Sequence, residues 1–259
     1  MSTMTLALLG LLTRIRLTRK DLDLQAAASQ QHLLPVIGLL VGLIASLTII
    51  ALDLVLGPSN AMVSGALLVA LLYGVTGIIH TEGLADFADG IMAHGTPQRK
   101  RAVMKDPHVG VAAVMAVVLF LIIFFALATR MCSSAGRDVD LWPLPWAVPF
   151  LLGMVVSEVG GKLAMNTAML LGPSSHEGMG SLFVQNADRG RFLAACGIAL
   201  IGCFLVVGWL SVIVLTGILA GGAVTAIARK HLGGVSGDVF GAVNEIGRVA
   251  TLLMWVAFA

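Results

Sequence analysis

Charged side chains are scarce in this sequence. Only 12% of the 259 residues are Asp, Glu, Lys or Arg, whereas 58% belong to the hydrophobic set. An ordinary soluble domain is about 25% charged and about 45–50% apolar, and a soluble globule could not cover so much apolar surface with polar groups. The composition therefore excludes a disordered chain, argues against a nucleic-acid-binding protein, and indicates an integral membrane protein of the all-α class.

Cysteine is also rare. The three cysteines, Cys132, Cys196 and Cys203, are too few and too scattered for a disulfide framework or a zinc site. Cys196 and Cys203 lie in an apolar run, where they are expected to be packing residues. The six histidines show neither an HExxH motif nor clustered spacing, so they do not indicate a zinc site either.

Long apolar runs predict a polytopic helical bundle. A membrane-spanning helix needs about 20 apolar residues. The stretch 192–228 has no charged residue and is too long for one helix, so we divide it near Gly208–Leu210 into two spans. We predict one membrane domain over residues 1–259 with about seven transmembrane helices, six being the alternative. The remaining candidate spans are 33–52, 61–79, 109–129, 142–160 and 239–258.

The placement of Lys and Arg predicts the orientation in the bilayer. With a cytoplasmic N-terminus, thirteen of the sixteen basic residues fall on the inside. We therefore predict a multi-pass protein of the cell membrane, with residues 1–32 as a cytoplasmic, interfacial segment and 80–108 as a cytoplasmic active-site loop. The inside residues are Arg14, Arg16, Arg19, Lys20, Arg99, Lys100, Arg101, Lys105, Lys162, Arg189, Arg191, Arg229 and Lys230.

Segment 80–108 contains four of the fourteen acidic residues, Glu82, Asp86, Asp89 and Asp106. On a helix, positions 82, 86 and 89 share one face. Three carboxylates on one face repel each other, and either a raised pKa or a divalent cation relieves that repulsion. Oxygen ligands favour Mg²⁺, Mn²⁺ or Ca²⁺. The alternative is a solvated acidic turn at a helix end.

Basic residues follow the acidic stripe. Lys105, beside Asp106 and next to the following span, suits a phosphate substrate, because a cation and a metal would share the anionic charge. For residues 99–101, contact with lipid headgroups is an equally good interpretation.

Further polar patches lie on the same predicted face, at 162–180, 229–238 and 244–248. The spacings of Glu245 with Arg248, and of Glu158 with Lys162, also suit intrahelical ion pairs. The candidate substrate-binding residues from these patches and from the segment after Lys105 are His108, Asn166, His176, Glu177, Asp238, Asn244 and Glu245.

These motifs resemble the cobalamin synthase family, the adenosylcobinamide-GDP ribazoletransferases, and segment 162–180 is similar to archaeal members. The sequence departs from the family at Glu82, where Asp is frequent, and at Pro107-His108, where Ser-Arg is frequent. The resemblance covers most of the chain and lies in Glu82-Gly-Leu-Ala-Asp86-Phe-Ala-Asp89-Gly90, in Met104-Lys-Asp106 followed by Gly110, and in Gly233-Gly-Val-Ser-Gly-Asp238-Val-Phe-Gly-Ala-Val-Asn244-Glu245.

The resemblance implies a Mg²⁺-dependent transferase that acts at the cytoplasmic face in the last assembly step of cobalamin biosynthesis. A hydroxyl of α-ribazole, or of its 5′-phosphate, would attack the cobinamide-side phosphorus of adenosylcobinamide-GDP. GMP would leave, and adenosylcobalamin or its 5′-phosphate would form. In this interpretation the metal ligands are Glu82, Asp86 and Asp89, and the catalytic residues are Asp86, Asp89, Lys105 and Asp106.

Two other interpretations remain open at this point. The segment Asp86-Phe-Ala-Asp89-Gly90-Ile-Met-Ala93 echoes the CDP-alcohol phosphotransferases, although His94 stands where Arg is expected and the downstream acidic portion of that motif is missing. A cation-coupled transporter would use the acids as an ion path, but they cluster at a membrane boundary and no inverted repeat is visible. The sequence leaves open whether the chain forms a homo-oligomer.

Overall fold

The computed structural model describes residues 8, 10, 12–13, 23–56, 58–133, 138–140 and 147–259. Over these residues the chain is almost entirely helical, apart from a small antiparallel pair of three-residue strands, β1 (Asp138–Asp140) and β2 (Ala147–Pro149). The predicted all-α class is confirmed. The α-helices are α1 (Leu24–Ser29), α2 (Leu34–Leu56), α3 (Ala61–Thr76), α4 (Ile79–Met92), α5 (Pro97–Val103), α6 (Val111–Cys132), α7 (Gly153–Leu171), α8 (Met179–Gln185), α9 (Arg189–Val207), α10 (Thr216–Leu232) and α11 (Gly237–Phe258).

Several helical stretches are long and apolar enough to cross a membrane, which confirms an integral membrane protein. Across the described ranges there are four, Gln31–Leu56, Val111–Cys132, Arg189–Leu232 and Gly237–Phe258, or five if α3 and α4 form one span bent by 95°. This count is lower than the predicted seven or six. It is lower because the continuous helical stretch Arg189–Leu232 counts once although it contains two predicted spans. In addition, α3 has only 16 residues, and α7 carries Glu158, Lys162 and Asn166 within its 19 residues.

The predicted span over 142–160 was placed too early in the sequence. Residues 142–146 lie outside the described part of the chain, residues 147–152 form β2 and a short 3-10 turn, and α7 begins only at Gly153. Pro149 in β2 fits this late start, because proline lacks the N–H that a helix interior needs. The shift moves Lys162 from a predicted inside loop into the middle of a helix.

Helix α7 is the centre of the bundle. Every residue from Gly153 to Met169 is buried, and α2, α9, α10 and α11 all pack against it. Small residues allow the close approach of α2. A Cβ atom added to Gly38 or Gly42 would come within 2.8 Å of the Val159 Cα or 2.5 Å of the Val155 Cα, respectively.

The uncharged stretch 192–228 folds into two antiparallel helices rather than one long helix. Gly208, with φ of 61°, ends α9, and a 3-10 segment over Gly208–Leu215 leads into α10. The predicted division near Gly208–Leu210 is therefore confirmed. Contacts with α7 show the directions of the two helices. Arg191 at the start of α9 lies beside Asn166 in the C-terminal half of α7. Along α10, Gly217 contacts Gly160 and Gly221 then contacts Ala164, so α10 runs in the same direction as α7.

One end of the bundle brings together the segments that were predicted to be cytoplasmic. Segment 80–108 is ordered as helices α4 and α5 and a turn, not as an irregular loop. The turn before α11 pairs with the segment after α7 through Ser174 and Val235. The basic residues Arg14, Arg16, Arg19 and Lys20 of the predicted interfacial segment lie outside the described residues, whereas Leu8 and Leu12 are buried.

Candidate active site

Helix α4 carries the acidic stripe and lies across the N-terminal ends of α6 and α11. Gly77 ends α3 with φ of 72°, and the chain turns by 95° into α4. Gly83 then packs directly on α11, where an added Cβ would lie 2.5 Å from the Asp238 carbonyl oxygen and 3.1 Å from the Gly241 Cα. Glycine at position 83 therefore allows two acid-bearing helices to touch.

Glu82 and Asp86 share their site with Asp238, which comes from the first turn of α11. Burial, followed in importance by the negative charges of Asp238, Glu82 and Asp89, raises the pKa of Asp86 to about 6. Among the described residues, neither Glu82 nor Asp86 has a hydrogen-bond or ion-pair partner. The site is thus a concentration of negative charge in which Glu82 and Asp86 form no ion pair with a described residue.

Asp89 has a different structural role from Glu82 and Asp86, the other two acids of the stripe. Its Oδ2 accepts a hydrogen bond from the Gly110 backbone N–H at 2.7 Å, and its Oδ1 accepts one from the Ala113 N–H at 2.9 Å. It therefore caps the N-terminus of α6, where a negative charge is favourable. This contact joins α4 to α6 across the site.

The ligand set predicted from the sequence is not preformed, because Asp89 is engaged in this cap. Within the described ranges, no group of three or more His, Cys, Asp or Glu side chains is placed to hold a metal ion. The oxygens of Glu82, Asp86 and Asp238 nevertheless suit a hard cation that completes its shell with water and phosphate oxygens, since Mg²⁺ usually takes only one or two carboxylates. Metal binding at Glu82, Asp86 and Asp89 stays a prediction.

Two cavities meet at the carboxylates. The first, which we call the apolar cavity, has a volume of about 270 Å³ and is lined mainly by Leu, Met and Phe side chains from α2, α7, α8 and α11 and by Leu8 and Leu12 of the N-terminal segment, together with His80 and Asp238. The second, the polar cavity, has a volume of about 530 Å³ and contains Lys105, Asp106 and His108. Glu82 and Asp86 line both cavities and so form the boundary between them.

The turn after α5 places a cation at the rim of the polar cavity. Lys105 is exposed and has no ion-pair partner among the residues the structure describes. Asp106 accepts a hydrogen bond from the His108 backbone N–H at 2.9 Å and lies 2.7 Å from the His108 Nδ1. These hydrogen bonds hold the pKa of Asp106 below its usual value. All three predicted residues are therefore together at one rim.

The basic residues of α5 connect this helix to two neighbouring helices. The Lys100 Nζ donates to the Ile91 carbonyl oxygen at 2.9 Å, and the Arg101 Nη1 donates to the Leu232 carbonyl oxygen at 2.6 Å. Both acceptors lie in the last turn of a helix, where carbonyls lack intrahelical partners and cations are favourable. These two residues therefore fasten α5 to the C-terminal ends of α4 and α10, an arrangement that the sequence did not predict.

The segment after α7 brings His176 to this end of the bundle. The Ser175 backbone N–H donates to the Val235 carbonyl oxygen at 2.9 Å, which ties the segment to the turn before α11. Burial and the nearby charge of Lys105 lower the pKa of His176. Glu177 is exposed beside it. The structure thus places His176 near the site, whereas a role for either residue stays a prediction.

Asn244 and Glu245, which the sequence suggested as substrate-binding residues, lie in the interior of the bundle and line neither cavity. Arg248 is fully buried and pairs with Glu245 at 3.2 Å and with Glu158 at 2.7 Å. The alternative ion pair of Glu245 and Arg248 is confirmed. The Lys162 Nζ donates to the Asn244 Oδ1 at 2.6 Å, and Arg248 takes the place that Lys162 was expected to fill beside Glu158.

Asn166 also lies away from both cavities. Its Nδ2 donates to the Gln31 carbonyl oxygen at 2.9 Å, and the Gln31 Nε2 donates to the Phe183 carbonyl oxygen at 3.0 Å. These bonds connect α7 with the segments before α2 and within α8. The apolar cavity itself was missed by the sequence analysis. The available signal was the spacing of Met165 and Met169, one helical turn apart on α7.

Comparison with known proteins agrees with the resemblance in the motifs. The chain matches the model of the cobalamin-5-phosphate synthase family over residues 4–256. No solved structure matches it. Relatives named adenosylcobinamide-GDP ribazoletransferase occur in Halorubrum lacusprofundi, at 33% identity over 96% of both chains, in Methanocella arvoryzae, at 32% identity over 97% of this chain and 96% of the relative, and in Halobacterium salinarum, at 38% identity over 71% and 87%.

The match extends over nearly the whole chain and includes the acidic helix α4, the turn with Lys105 and the start of α11. The relatives are mostly archaeal, as segment 162–180 suggested. The chain therefore belongs to the cobalamin-5-phosphate synthase family, an enzyme family of cobalamin synthesis.

Proposed function

We propose that this protein joins adenosylcobinamide-GDP to α-ribazole, or to α-ribazole 5′-phosphate, and releases GMP. The product is adenosylcobalamin or its 5′-phosphate. The names of the relatives support this reaction. The structural observation that carries the proposal is that Glu82 and Asp86 form the common wall of an apolar and a polar cavity, because two substrates must meet at one phosphorus atom.

The chemical step is a substitution at phosphorus. A bond forms between a ribazole hydroxyl oxygen and the cobinamide-side phosphorus, and the bond from that phosphorus to the bridging oxygen of the diphosphate breaks. GMP carries that oxygen away, and the proton of the hydroxyl is released to water. Such reactions depend mostly on positioning and on neutralisation of charge. In the polar cavity, the Lys105 ammonium group would bind the departing phosphate, while α4 and α11 hold the carboxylates in place.

The carboxylates fit a magnesium ion better than they fit a diphosphate alone. Three acidic side chains without a cation would repel an anionic substrate, so the site needs a positive charge beyond Lys105. Glu82 and Asp86 would hold Mg²⁺. Asp238 would be a further donor, and so would the lone pairs of the Asp89 oxygens that the cap of α6 does not use. The ion would supply charge neutralisation on the diphosphate. The protein's own part is to keep the acids on two rigid helices.

The site is proposed to face the cytoplasm from the cell membrane. The end of the bundle that carries the site also carries Arg99, Lys100, Arg101, Lys105, Arg229 and Lys230, as expected for a cytoplasmic side. This orientation would give both proposed small-molecule substrates access to the site from the cytoplasm.

Turnover by the purified protein tests the function. With adenosylcobinamide-GDP, α-ribazole and Mg²⁺, we expect GMP release in step with formation of the corrinoid product, and loss of both after chelation with EDTA. In a second assay, adenosylcobinamide-GDP carries a label in its cobinamide-phosphate part and no acceptor is added. Release of GMP with this label retained on the protein would contradict direct displacement. Absence of GMP with every acceptor would contradict the transferase itself.

A further inference from the structure

The proposed chemistry assigns no ligand group to the apolar cavity. Its walls include Met165 and Met169 of α7, Met179 and Phe183 of α8, and Phe240 of α11. All except Met179 are less than 10% exposed. Such a wall favours an apolar ligand, and methionine sulfur also makes favourable contacts with aromatic rings.

The size of the cavity limits what it can hold. Its volume of about 270 Å³ lies just below the range of about 300–1,000 Å³ that is typical of pockets for whole small-molecule ligands. A corrinoid ring or an entire nucleotide is too large for this space. A single planar ring system is the right scale.

One polar group in the cavity lacks a partner. His80 lines the cavity, is only 4% exposed, and its imidazole ring makes no hydrogen bond with the residues that the structure describes. A buried polar group without a partner is costly, so a ligand atom that bonds to the imidazole ring from the cavity would lower that cost. An imidazole nitrogen donates or accepts according to its tautomer, which matches a ligand ring with one polar atom.

We propose that the apolar cavity binds the aromatic base of the acceptor nucleoside, with His80 as the partner of the base's ring nitrogen. The inference rests on the proposed function and names the acceptor's subsite within it. A base in this cavity places the attached sugar at Glu82 and Asp86, because these residues form the wall toward the polar cavity. The sugar hydroxyl then faces the phosphorus of the donor across that wall.

The chemistry of the bases favours the acceptor over the guanine of the donor. A benzimidazole base has one ring-nitrogen acceptor and otherwise only carbon at its edges. Guanine has several donors and acceptors, which Met and Phe side chains would leave unpaired at high cost. The same flexible Met side chains predict that bases with different apolar substituents are accepted.

Filling the cavity tests the proposal, and the chain offers a matched pair of half-exposed methionines. Met179 lines the cavity and is 44% exposed, whereas Met115 lies on α6 and is 52% exposed. We expect Met179→Trp to raise the KM for α-ribazole at least tenfold, within the range of about 10–200-fold that a poorly fitted group costs. The KM for adenosylcobinamide-GDP should change less than twofold, and Met115→Trp should leave both values unchanged.

A second readout separates a filled subsite from a damaged fold. The Met179→Trp protein should lose less activity toward a benzimidazole nucleoside without methyl groups than toward α-ribazole, because the smaller base needs less room. Met169→Phe, at a lining residue of α7, should shift the preference in the same direction. An unchanged preference for the base in both variants would overturn the proposal, and so would a selective rise in the KM for the donor.

Binding without turnover separates this proposal from the proposed function. Equilibrium dialysis of α-ribazole alone against the wild-type protein should show binding that Met179→Trp weakens at least tenfold and Met115→Trp preserves. If the wild type binds α-ribazole in this way but makes no product, the transferase fails and the subsite stands. If the wild type makes product while Met179→Trp binds α-ribazole normally, the subsite fails and the transferase stands.

Discussion

Replacing Gly83 with alanine tests whether the contact between α4 and α11 sets the geometry of the site. The added Cβ would lie 2.5 Å from the backbone oxygen of Asp238, whereas ordinary van der Waals contact begins at about 3.4 Å. The two helices must therefore separate by roughly 0.9 Å, the difference between 3.4 and 2.5 Å. Because the obstructing atom belongs to the backbone, a side-chain rotation cannot relieve the contact.

That displacement has a predictable cost in rate. It moves Glu82 and Asp86 relative to Asp238, and a misplacement of about 1 Å in an active site can reduce the rate about a hundredfold. Overpacking of this kind lowers the free energy of unfolding by about 1–3 kcal/mol, which the better helix propensity of alanine offsets by about 1 kcal/mol. We therefore expect a folded protein of slightly lower stability with about one hundredth of the wild-type kcat.

Gly222→Ala is the matched control, because Gly222 lies in α10 and an added Cβ there meets nothing within 4 Å. Both variants would be purified in the same detergent and compared for GMP release and thermal unfolding. Gly222→Ala should keep its activity and gain stability. If Gly83→Ala folds and its turnover stays within twofold of wild type, the helix contact does not control the site.

Four other substitutions test separate parts of the structure. Asp86→Asn should abolish Mg²⁺-dependent turnover without unfolding the protein, and near-normal turnover over a Mg²⁺ titration would contradict a role in metal binding. Asp89→Ala removes the cap of α6 and should lower the free energy of unfolding by about 0.5–2 kcal/mol, so an unchanged thermal midpoint would count against the cap. Arg248→Met leaves two buried carboxylates unpaired and should destabilise the protein by about 3–5 kcal/mol, as followed by denaturant unfolding. Thr96→Cys, in a variant without the native cysteines, should react with an impermeant maleimide only after permeabilisation of cells, and labelling in intact cells would reverse the proposed orientation.

The sequence by itself determined the membrane class, the acidic helix and the family. These features are local or compositional: the shortage of charge requires burial in lipid, and the positions 82, 86 and 89 share a face in any α-helix. The uninterrupted apolar stretch 192–228 likewise required a division, and Gly208 provides it. Such patterns depend on composition or on neighbouring residues in the sequence, so they can be interpreted without knowing which helices pack together.

Only the tertiary structure decided what each acid does. Asp89 and Asp86 are three positions apart on one helix, yet Asp89 caps α6 while Asp86 lines both cavities, because α4 crosses the end of α6 at that point. The Glu245 side chain is buried in the bundle and pairs with Arg248. Asp238, two turns earlier on the same helix, lies close to Asp86 in the candidate active site. A carboxylate's role depends on the partner that folding places beside it, and that partner lies far away in the sequence.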